Sequence, residues 1–238
     1  MTNQPLTESA LPFLRHLDEW QSNLPALSLD AVIGGAPERV AVACVDIING
    51  FCTEGPLASP RVQSIVAPIA GLFGAARERG VRHFLLPQDA HPEDAVEFGS
   101  FPPHCVRGTS EAGTAPELLA LPFADEFTIF EKNTLSAAIE TEFAAWVRAH
   151  PEVTTYVVTG DCSDLCIYQL AMFLRMDANA RNIADRRVIL PANCVDTYDV
   201  PVSVAREVGI YAHPGDLHHV FFLHHMALNG VEVVGGLE

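Results

Sequence analysis

The chain has 238 residues, of which 49% are hydrophobic and 18% are charged. This composition is typical of a globular protein with one substantial core, and no apolar run approaches the roughly 18 residues of a membrane span. The formal net charge of −16 argues against nucleic acid and anionic membrane surfaces as partners. The first ten residues lack the basic and apolar regions of a secretory signal, so we expect a cytoplasmic protein.

Residues 1–38 are predicted to form an N-terminal helical extension. Leu11, Leu14, Leu17 and Trp20 fall on one face of a short amphipathic helix, and a segment with Pro and Gly follows it. This apolar stripe has to be buried, either on the main domain or on a second subunit. We expect a homo-oligomer, and a helix docked on its own chain is an equally good explanation of the stripe.

Residues 39–238 are predicted to form a single domain in which strands and helices alternate. Near-continuous apolar strands indicate a mainly parallel sheet covered on both faces, which is a three-layer α/β/α fold. The six predicted strands are 40–47, 81–87, 126–130, 153–159, 187–191 and 231–234. The main predicted helices are 62–79, 138–149, 218–229 and the segment that begins near residue 166.

Ionisable residues follow four of these strands in turn. Asp46 ends the first strand, Asp89 follows the second, Lys132 follows the third, and Cys166 follows the fourth. Because ligands bind beyond the carboxyl ends of parallel strands, the four side chains are expected to converge at one sheet edge. Cys166 lies in the first turn of a predicted helix, where the helix dipole lowers a thiol pKa. The alternative is a buried, inert cysteine.

This set of residues suits nucleophilic catalysis by a cysteine. Asp46 can accept the proton of the Cys166 thiol and later deliver it to a leaving amine. Lys132 can hold the carboxylate in place and favour the thiolate, and the tight turn over 162–166 can offer backbone N–H groups to an oxyanion. A structural ion pair between Asp46 and Lys132 is the simpler alternative. The six cysteines are dispersed without CxxC pairs, which indicates free thiols in a reducing compartment.

The loop after the second strand is a candidate metal site. Asp89 and His91 are two residues apart, so both project to the same side of an extended segment, and Glu97 and His104 follow. Imidazoles together with carboxylates suit one divalent ion such as zinc, iron or manganese. A merely solvated acidic loop is the alternative. Further histidines at 213, 218, 219, 224 and 225 are expected to pack or face solvent rather than bind metal.

At this point the chain resembles a known family, the isochorismatase-like cysteine hydrolases, and within it the nicotinamidases. The resemblance covers roughly residues 39–236, and the motifs that carry it are Asp46-Ile47-Ile48-Asn49-Gly50-Phe51-Cys52, Gln88-Asp89-Ala90-His91-Pro92, the run from Phe101 to Thr109, Lys132, and Gly160 followed by Ser163-Asp164-Leu165-Cys166-Ile167. It differs from the family pattern at Ile48, Ala90, Phe101 and Ser163, which affects the pocket wall and leaves the triad intact.

The resemblance implies roles for the residues singled out above. Asp46, Lys132 and Cys166 would be the catalytic triad, and Asp89, His91, Glu97 and His104 would be the metal ligands. Phe51 and Phe101 would flank the substrate ring, while the backbone N–H groups of Cys162 and Cys166 would form the oxyanion hole beside a cis peptide bond between Asp161 and Cys162. In this family the metal is thought to bind the pyridine nitrogen of nicotinamide.

The expected function is a metal-assisted amidohydrolase that converts nicotinamide to nicotinate and ammonia through a thioester, with a small-molecule amide as its partner. Two alternatives stay open at this point. The enzyme could hydrolyse another small amide or a carbamoyl compound. The chain could also be a non-catalytic binding or redox-sensing protein in which Cys166 is the sensor thiol.

Overall fold

A computed structural model describes residues 5–238 of the chain. Its helices are α1 (Leu6–Ser9), α2 (Leu11–Ser22), α3 (Leu29–Ile33), α4 (Asn49–Cys52), α5 (Pro60–Glu78), α6 (Pro116–Leu119), α7 (Phe143–Ala149), α8 (Cys166–Ala180), α9 (Val202–Val208) and α10 (Gly215–Leu228). Its strands are β1 (Ala26–Leu27), β2 (Val40–Val45), β3 (His83–Asp89), β4 (Thr128–Lys132), β5 (Thr155–Asp161), β6 (Arg187–Pro191), β7 (Val195–Asp196), β8 (Glu232–Val234) and β9 (Gly236–Leu237).

The main sheet is parallel throughout and has the strand order β4-β3-β2-β5-β6-β8. The three-layer α/β/α fold and its six predicted strands are therefore confirmed. The sheet also has a seventh strand, β7, which pairs with the end of β5, and β1 and β9 form a separate two-stranded sheet. Strands of two residues carry no periodic pattern, which is why the sequence did not indicate them.

The two faces of the sheet pack against separate hydrophobic clusters. In β2, the side chains of Val40, Val42 and Cys44 contribute to the cluster that contains α5, whereas Ala41, Ala43 and Val45 contribute to the cluster that contains α8. All six residues of β2 are buried. A central strand covered on both faces explains the continuous apolar run in the sequence.

Gly160 allows β5 to approach β2 closely next to the carboxyl end of the sheet. It has a φ of +113°, and a Cβ atom added to it would lie 2.0 Å from the carbonyl oxygen of Val45. Its register partner in β2 is also Val45. The absence of a side chain at this position therefore fixes how closely the strands preceding Asp46 and Cys166 approach each other.

The N-terminal helix α2 docks on α10 of the same chain. The ring centroids of Phe13 and Phe221 are 6.2 Å apart, those of Trp20 and His224 are 5.1 Å apart, and Leu17 is fully buried. The intramolecular explanation for the apolar stripe thus has structural support. The division into an extension over 1–38 and a domain over 39–238 stays a prediction. Among the described residues, no helix has the length and hydropathy needed to cross a membrane.

Candidate active site

The predicted strand-end residues lie together at the carboxyl edge of the sheet. The Lys132 ammonium is 2.7 Å from Oδ2 of Asp46 and 2.5 Å from Oδ1 of Asp89, and it lies 3.6 Å from the sulfur of Cys166. All four side chains are buried. Because β3 and β4 pair Asp89 directly with Lys132, the sheet register itself brings the cation between the two carboxylates.

Asp46 leaves the sheet in a left-handed backbone conformation, with a φ of +57°. Its Oδ1 accepts a hydrogen bond of 2.8 Å from the backbone N–H of Asp89, while Oδ2 lies next to Lys132. Burial and the neighbouring Asp89 carboxylate raise the pKa of Asp46 to about 7, against the opposing effect of Lys132. A carboxyl group with a pKa near neutrality can both accept and return a proton, which is what a general base and acid requires.

Cys166 is the first residue of α8, as predicted, but its thiol does not have a lowered pKa. Burial raises the pKa of Cys166 well above its usual value, and the charges of Asp46 and Asp89 add to this effect, while Lys132 alone opposes them strongly. This direction is opposite to the one that the helix N-terminus predicts. The prediction failed because the sequence did not reveal how completely the thiol is withdrawn from water. The resting group is thus a thiol, and its reactivity depends on a base nearby.

Asp46, the candidate base, lies close to the thiol of Cys166. One carboxylate oxygen from each of Asp46 and Asp89 and the sulfur of Cys166 all lie within 4.8 Å of one another. The sulfur can therefore transfer its proton to Asp46 while Lys132 stabilises the thiolate that forms.

The turn before Cys166 contains the expected backbone features of an oxyanion hole. The peptide bond between Asp161 and Cys162 is cis. Over residues 5–238, the N–H groups of Cys162 and Cys166 donate to no carbonyl group, whereas the N–H groups of Ser163 and Leu165 donate to Asp196 and Cys162. Two N–H groups on either side of one tight turn, beside the nucleophilic sulfur, can bind the negative oxygen of a tetrahedral intermediate.

Three of the four predicted metal ligands form one group. An oxygen of Asp89 and a ring nitrogen from each of His91 and His104 lie within 4.8 Å of one another. The Nδ1 atoms point away from this group, to the side-chain oxygen of Asn133 for His91 and to the carbonyl of Pro102 for His104, at 2.8 Å each. Nε2 of His91 is buried without a hydrogen-bond partner in the described structure and lies 3.5 Å from Asp89 Oδ2. These residues fit a divalent ion, because oriented imidazoles with free Nε2 atoms are its usual ligands.

Glu97 falls outside that compact group. It lies in a short 3-10 helix, Val96–Gly99. Against the effect of burial, Asp89 is the main cause that raises the pKa of His91, and the nearby charge of Glu97 adds to it. Its role as a fourth ligand stays a prediction. The sequence did not single out Asn133, the residue directly after Lys132, although its side chain orients His91.

Aromatic side chains surround the histidines of this group. The ring of Phe51 is centred 5.7 Å from that of His104, and the ring of Phe101 is 6.2 Å from it. Phe98, which was not singled out from the sequence, lies 5.5 Å from His91 and 5.6 Å from His104. The aromatic wall is thus next to the candidate metal ligands, where a planar ring could stack.

A second cluster with histidines lies behind the turn that contains Cys162 and Cys166. Asp164 contacts His213 and His218, which were expected to have packing or surface roles. No local pattern indicates this cluster, because residues 164, 213 and 218 come from a turn, a bridge segment and the start of α10.

Comparison with known proteins agrees with this geometry. The family model of the isochorismatase domain matches residues 40–235. Nicotinamidase 1 of Arabidopsis thaliana is 29% identical, and the alignment covers 93% of this chain and 96% of that protein. The crystal structure of a nicotinamidase from Bacillus subtilis superposes with a TM-score of 0.64 at 24% identity, over 82% of this chain and 99% of the other.

A pyrazinamidase of Pyrococcus horikoshii, solved in complex with zinc, superposes with a TM-score of 0.63 at 21% identity, over 82% of this chain and 98% of that one. The chain therefore belongs to the isochorismatase family. Within that family it is a nicotinamidase-like hydrolase, and its reaction is that of an amidohydrolase.

Proposed function

We propose that this enzyme hydrolyses nicotinamide to nicotinate and ammonia, with Asp46, Lys132 and Cys166 as the catalytic triad. The observation that carries the proposal is the contact between the triad and the metal-ligand group: Asp89 belongs to the latter, and its carboxylate is 2.5 Å from Lys132. A nucleophile and a group able to bind a ring nitrogen are thereby adjacent. The names of the nicotinamidase relatives support the same substrate.

The first half of the reaction forms a thioester. The Cys166 thiol transfers its proton to Asp46, and the sulfur attacks the carboxamide carbon. The amide oxygen becomes negative and accepts hydrogen bonds from the N–H groups of Cys162 and Cys166. When the carbon–nitrogen bond breaks, Asp46 returns the proton to the nitrogen, and ammonia leaves. A pKa of about 7 at Asp46 suits both transfers.

The second half releases the acid. Asp46 takes a proton from a water molecule, whose oxygen attacks the thioester carbon, and the same N–H groups bind the new oxyanion. The carbon–sulfur bond then breaks to give nicotinic acid, which ionises to nicotinate, and Asp46 returns its proton to the thiolate. Lys132 stays charged throughout, because Asp46 and Asp89 raise its pKa well above the usual value against the effect of burial.

The aromatic residues and the metal ligands would determine how the substrate is oriented. Phe51 and Phe101 would pack on the faces of the ring. Asp89, His91 and His104, with Glu97 as the proposed fourth ligand, would hold one divalent ion of zinc, iron or manganese, which would supply a Lewis acid for the ring nitrogen. Packing of Phe51 and Phe101 on the ring would limit the carboxamide to positions near the sulfur, and positioning of this kind contributes several orders of magnitude in rate.

The direct test is ammonia release by the purified protein from nicotinamide, from a pyrazine carboxamide and from an N-carbamoyl compound. We expect the highest kcat/KM with nicotinamide, and a loss of about 10⁴-fold or more in Cys166→Ala. Preference for another amide would overturn the substrate assignment and leave the triad in place. Binding of nicotinamide without turnover of any amide would favour the non-catalytic alternative. Unchanged turnover by Cys166→Ala would overturn the mechanism.

We also propose that the protein is a homo-oligomer in the cytoplasm. Several large apolar side chains are exposed in and beside α9: Val202, Val204, Val208, Ile210 and Tyr211. All six cysteines are free, which suits a reducing compartment. Light scattering coupled to size exclusion tests the first point, since a single mass near 25.8 kDa would contradict it.

A further inference from the structure

Outside the triad and the metal ligands, residues 5–238 contain a further group of titratable side chains, centred on Asp164. Oδ1 of Asp164 accepts a hydrogen bond of 2.6 Å from the hydroxyl of Thr197. Oδ2 accepts one of 2.7 Å from Nε2 of His213 and one of 3.1 Å from Nδ1 of His218. Asp164 is 7% exposed, as is His213, whereas the side chain of His218 is 33% exposed.

The partners of His213 determine its charge. Its Nδ1 is 2.9 Å from the carbonyl oxygen of Tyr198, which can only accept, and its Nε2 faces the Asp164 carboxylate. Both ring nitrogens therefore have to donate, so His213 is an imidazolium and Asp164 a carboxylate. The opposed pKa shifts agree with this: against the effect of burial, Asp164 raises the pKa of His213, and His213 lowers that of Asp164.

Two aromatic rings pack against the His213 side of the pair. The Tyr198 ring stacks on His213 with centroids 3.8 Å apart, and the ring of His218 is 4.1 Å from that of His213. The Cys162 thiol, the Tyr198 phenol and the His219 ring also face Asp164. Burial followed by the charges of Asp161 and Asp164 raises the pKa of Cys162 well above the usual value, and burial raises that of Tyr198 to about 12, so both groups stay neutral.

The position of Asp164 in the chain gives this ion pair a mechanistic consequence. Asp164 lies between Cys162 and Cys166, whose N–H groups are the proposed oxyanion hole. The turn itself has few other anchors: the N–H of Ser163 donates to the carbonyl of Asp196, and its hydroxyl lies 3.0 Å from Nδ1 of His219. The charged hydrogen bonds of Asp164 are therefore the strongest side-chain contacts that fix where the two N–H groups point.

We propose that Asp164, His213 and His218 are positioning residues for the oxyanion hole, which they join to the bridge segment at residue 213 and to α10. The inference rests on the proposed amidase mechanism, because it assigns the three residues to the turn that binds the oxyanion. Among the described residues, the hydrogen bond of the Cys166 sulfur is with Lys132 and not with any of these three, which therefore act through the backbone of residues 162–166.

Steady-state kinetics of Asp164→Asn and His213→Gln test the proposal. Since the oxyanion exists only in the transition state and intermediate, we expect kcat to fall about 10- to 100-fold while KM for nicotinamide changes less than about threefold. The matched control is Asp177→Asn in α8, which weakens a largely buried ion pair of 2.6 Å with Arg186, a residue beyond the end of that helix, without touching the turn. It is expected to lower stability and leave kcat unchanged.

Two further measurements separate positioning from other roles. The His213 pKa, followed by NMR titration, is expected to lie above the usual value in the wild type and to return toward it in Asp164→Asn. This measurement does not depend on turnover, so it tests the ion pair even if the proposed function is wrong. Zinc titration is expected to give one equivalent in both proteins. A second equivalent that Asp164→Asn abolishes would show a metal site instead and overturn the proposal, as would a kcat equal to that of the wild type.

Discussion

Lys132 is the residue on which the electrostatics of the site depend most. Among residues 5–238, its ammonium is the one cation that contacts both Asp46 and Asp89, and a buried charge without a partner costs free energy. The ion pair is consequently a structural feature and a catalytic one at the same time. From the sequence, a structural ion pair and a catalytic role for Asp46 and Lys132 are alternatives, and the geometry is compatible with both.

Replacing Lys132 by Met is expected to lower the free energy of unfolding by about 3–5 kcal/mol, because two carboxylates then lose their buried partner. Arg107→Met is a matched control. Arg107 pairs with Glu131, the neighbour of Lys132 in β4, and both side chains of this pair are 55% exposed. That change is expected to cost less than about 1 kcal/mol. Urea denaturation of the two variants provides the measurement, and equal losses would contradict the assigned role of Lys132.

Substituting Glu97 and substituting His104 are expected to lower metal affinity by different factors. Because Glu97 lies outside the compact group of Asp89, His91 and His104, Glu97→Gln is expected to weaken metal affinity by no more than about 10- to 100-fold. His104→Ala removes a ligand and is expected to weaken it by a clearly larger factor. Competition with a chromogenic chelator measures both affinities. A larger effect of Glu97→Gln than of His104→Ala would make Glu97 a primary ligand.

At the scale of elements, the meeting of β2 and β5 determines where the nucleophile and its base lie. Asp46 follows β2, and Gly160 in β5 pairs with Val45 just before it. Any side chain at residue 160 would meet the carbonyl of Val45, so the glycine is required for the close approach.

Gly160→Ala is therefore expected to be strongly destabilising. The positive φ costs about 1–3 kcal/mol for a residue with a Cβ atom, and overpacking costs about 1–3 kcal/mol more. Gly74→Ala is the control, because Gly74 lies inside α5 and a Cβ atom there has open space. There the same substitution is expected to stabilise by about 0.5–1 kcal/mol. Thermal unfolding gives both values, and a Tm of Gly160→Ala at or above that of the wild type would contradict the packing argument.

Elements that a local sequence pattern indicates could be predicted, whereas properties that depend on contacts between distant residues could not. The six strands follow from apolar runs, and the convergence of Asp46, Asp89, Lys132 and Cys166 follows from the rule for parallel sheets. The raised pKa of the Cys166 thiol depends on complete burial, which no local pattern encodes. The start of α7 at Phe143, five residues after the predicted start, reflects a segment whose composition suited a helix but whose backbone is turns.

The Asp164–His213 ion pair links the turn before α8 to the segment before α10, and its contribution to stability depends on pH. The lowered pKa of Asp164 means that its contribution is present above the unfolded value of about 3.9 and is lost as the pH falls through the folded value. The raised pKa of His213 means that its contribution is complete below about 6.5 and is lost as the pH rises through the folded value.

The stability difference between the wild type and Asp164→Asn is consequently expected to peak at about 1–3 kcal/mol between pH 4 and 6.5, roughly the interval between the two unfolded values. It should decline on both sides of this interval. Asp177→Asn serves as the comparison, because its partner Arg186 stays charged at high pH, so its effect should not decline there. Denaturation series across pH 3.5–9 would decide, and a difference that keeps growing above pH 7 would contradict the pairing.

At the scale of the whole molecule, the extension and the C-terminal part of the chain stabilise each other. The helix α2 packs on α10, and β1 pairs with β9 near the C-terminus, so the N-terminal residues lie on the element that follows the Asp164–His213 ion pair. The exposed apolar residues in and beside α9 come just before α10. An oligomer built through that segment would thus contact the same side of the molecule that supports the proposed oxyanion hole.

If α2 is an intramolecular support, its buried stripe should stabilise the fold without affecting the chemistry. Leu17 is 1% exposed, so Leu17→Ala is expected to cost about 2–5 kcal/mol of unfolding free energy. Leu14, one turn earlier, is 37% exposed, and Leu14→Ala is expected to change stability by about 0.5 kcal/mol. Both variants should keep the wild-type kcat for nicotinamide and the wild-type mass in light scattering, because Leu17 lies in an interface within one chain. A drop in mass for Leu17→Ala, with its stability preserved at high protein concentration, would place α2 in the contact between subunits instead.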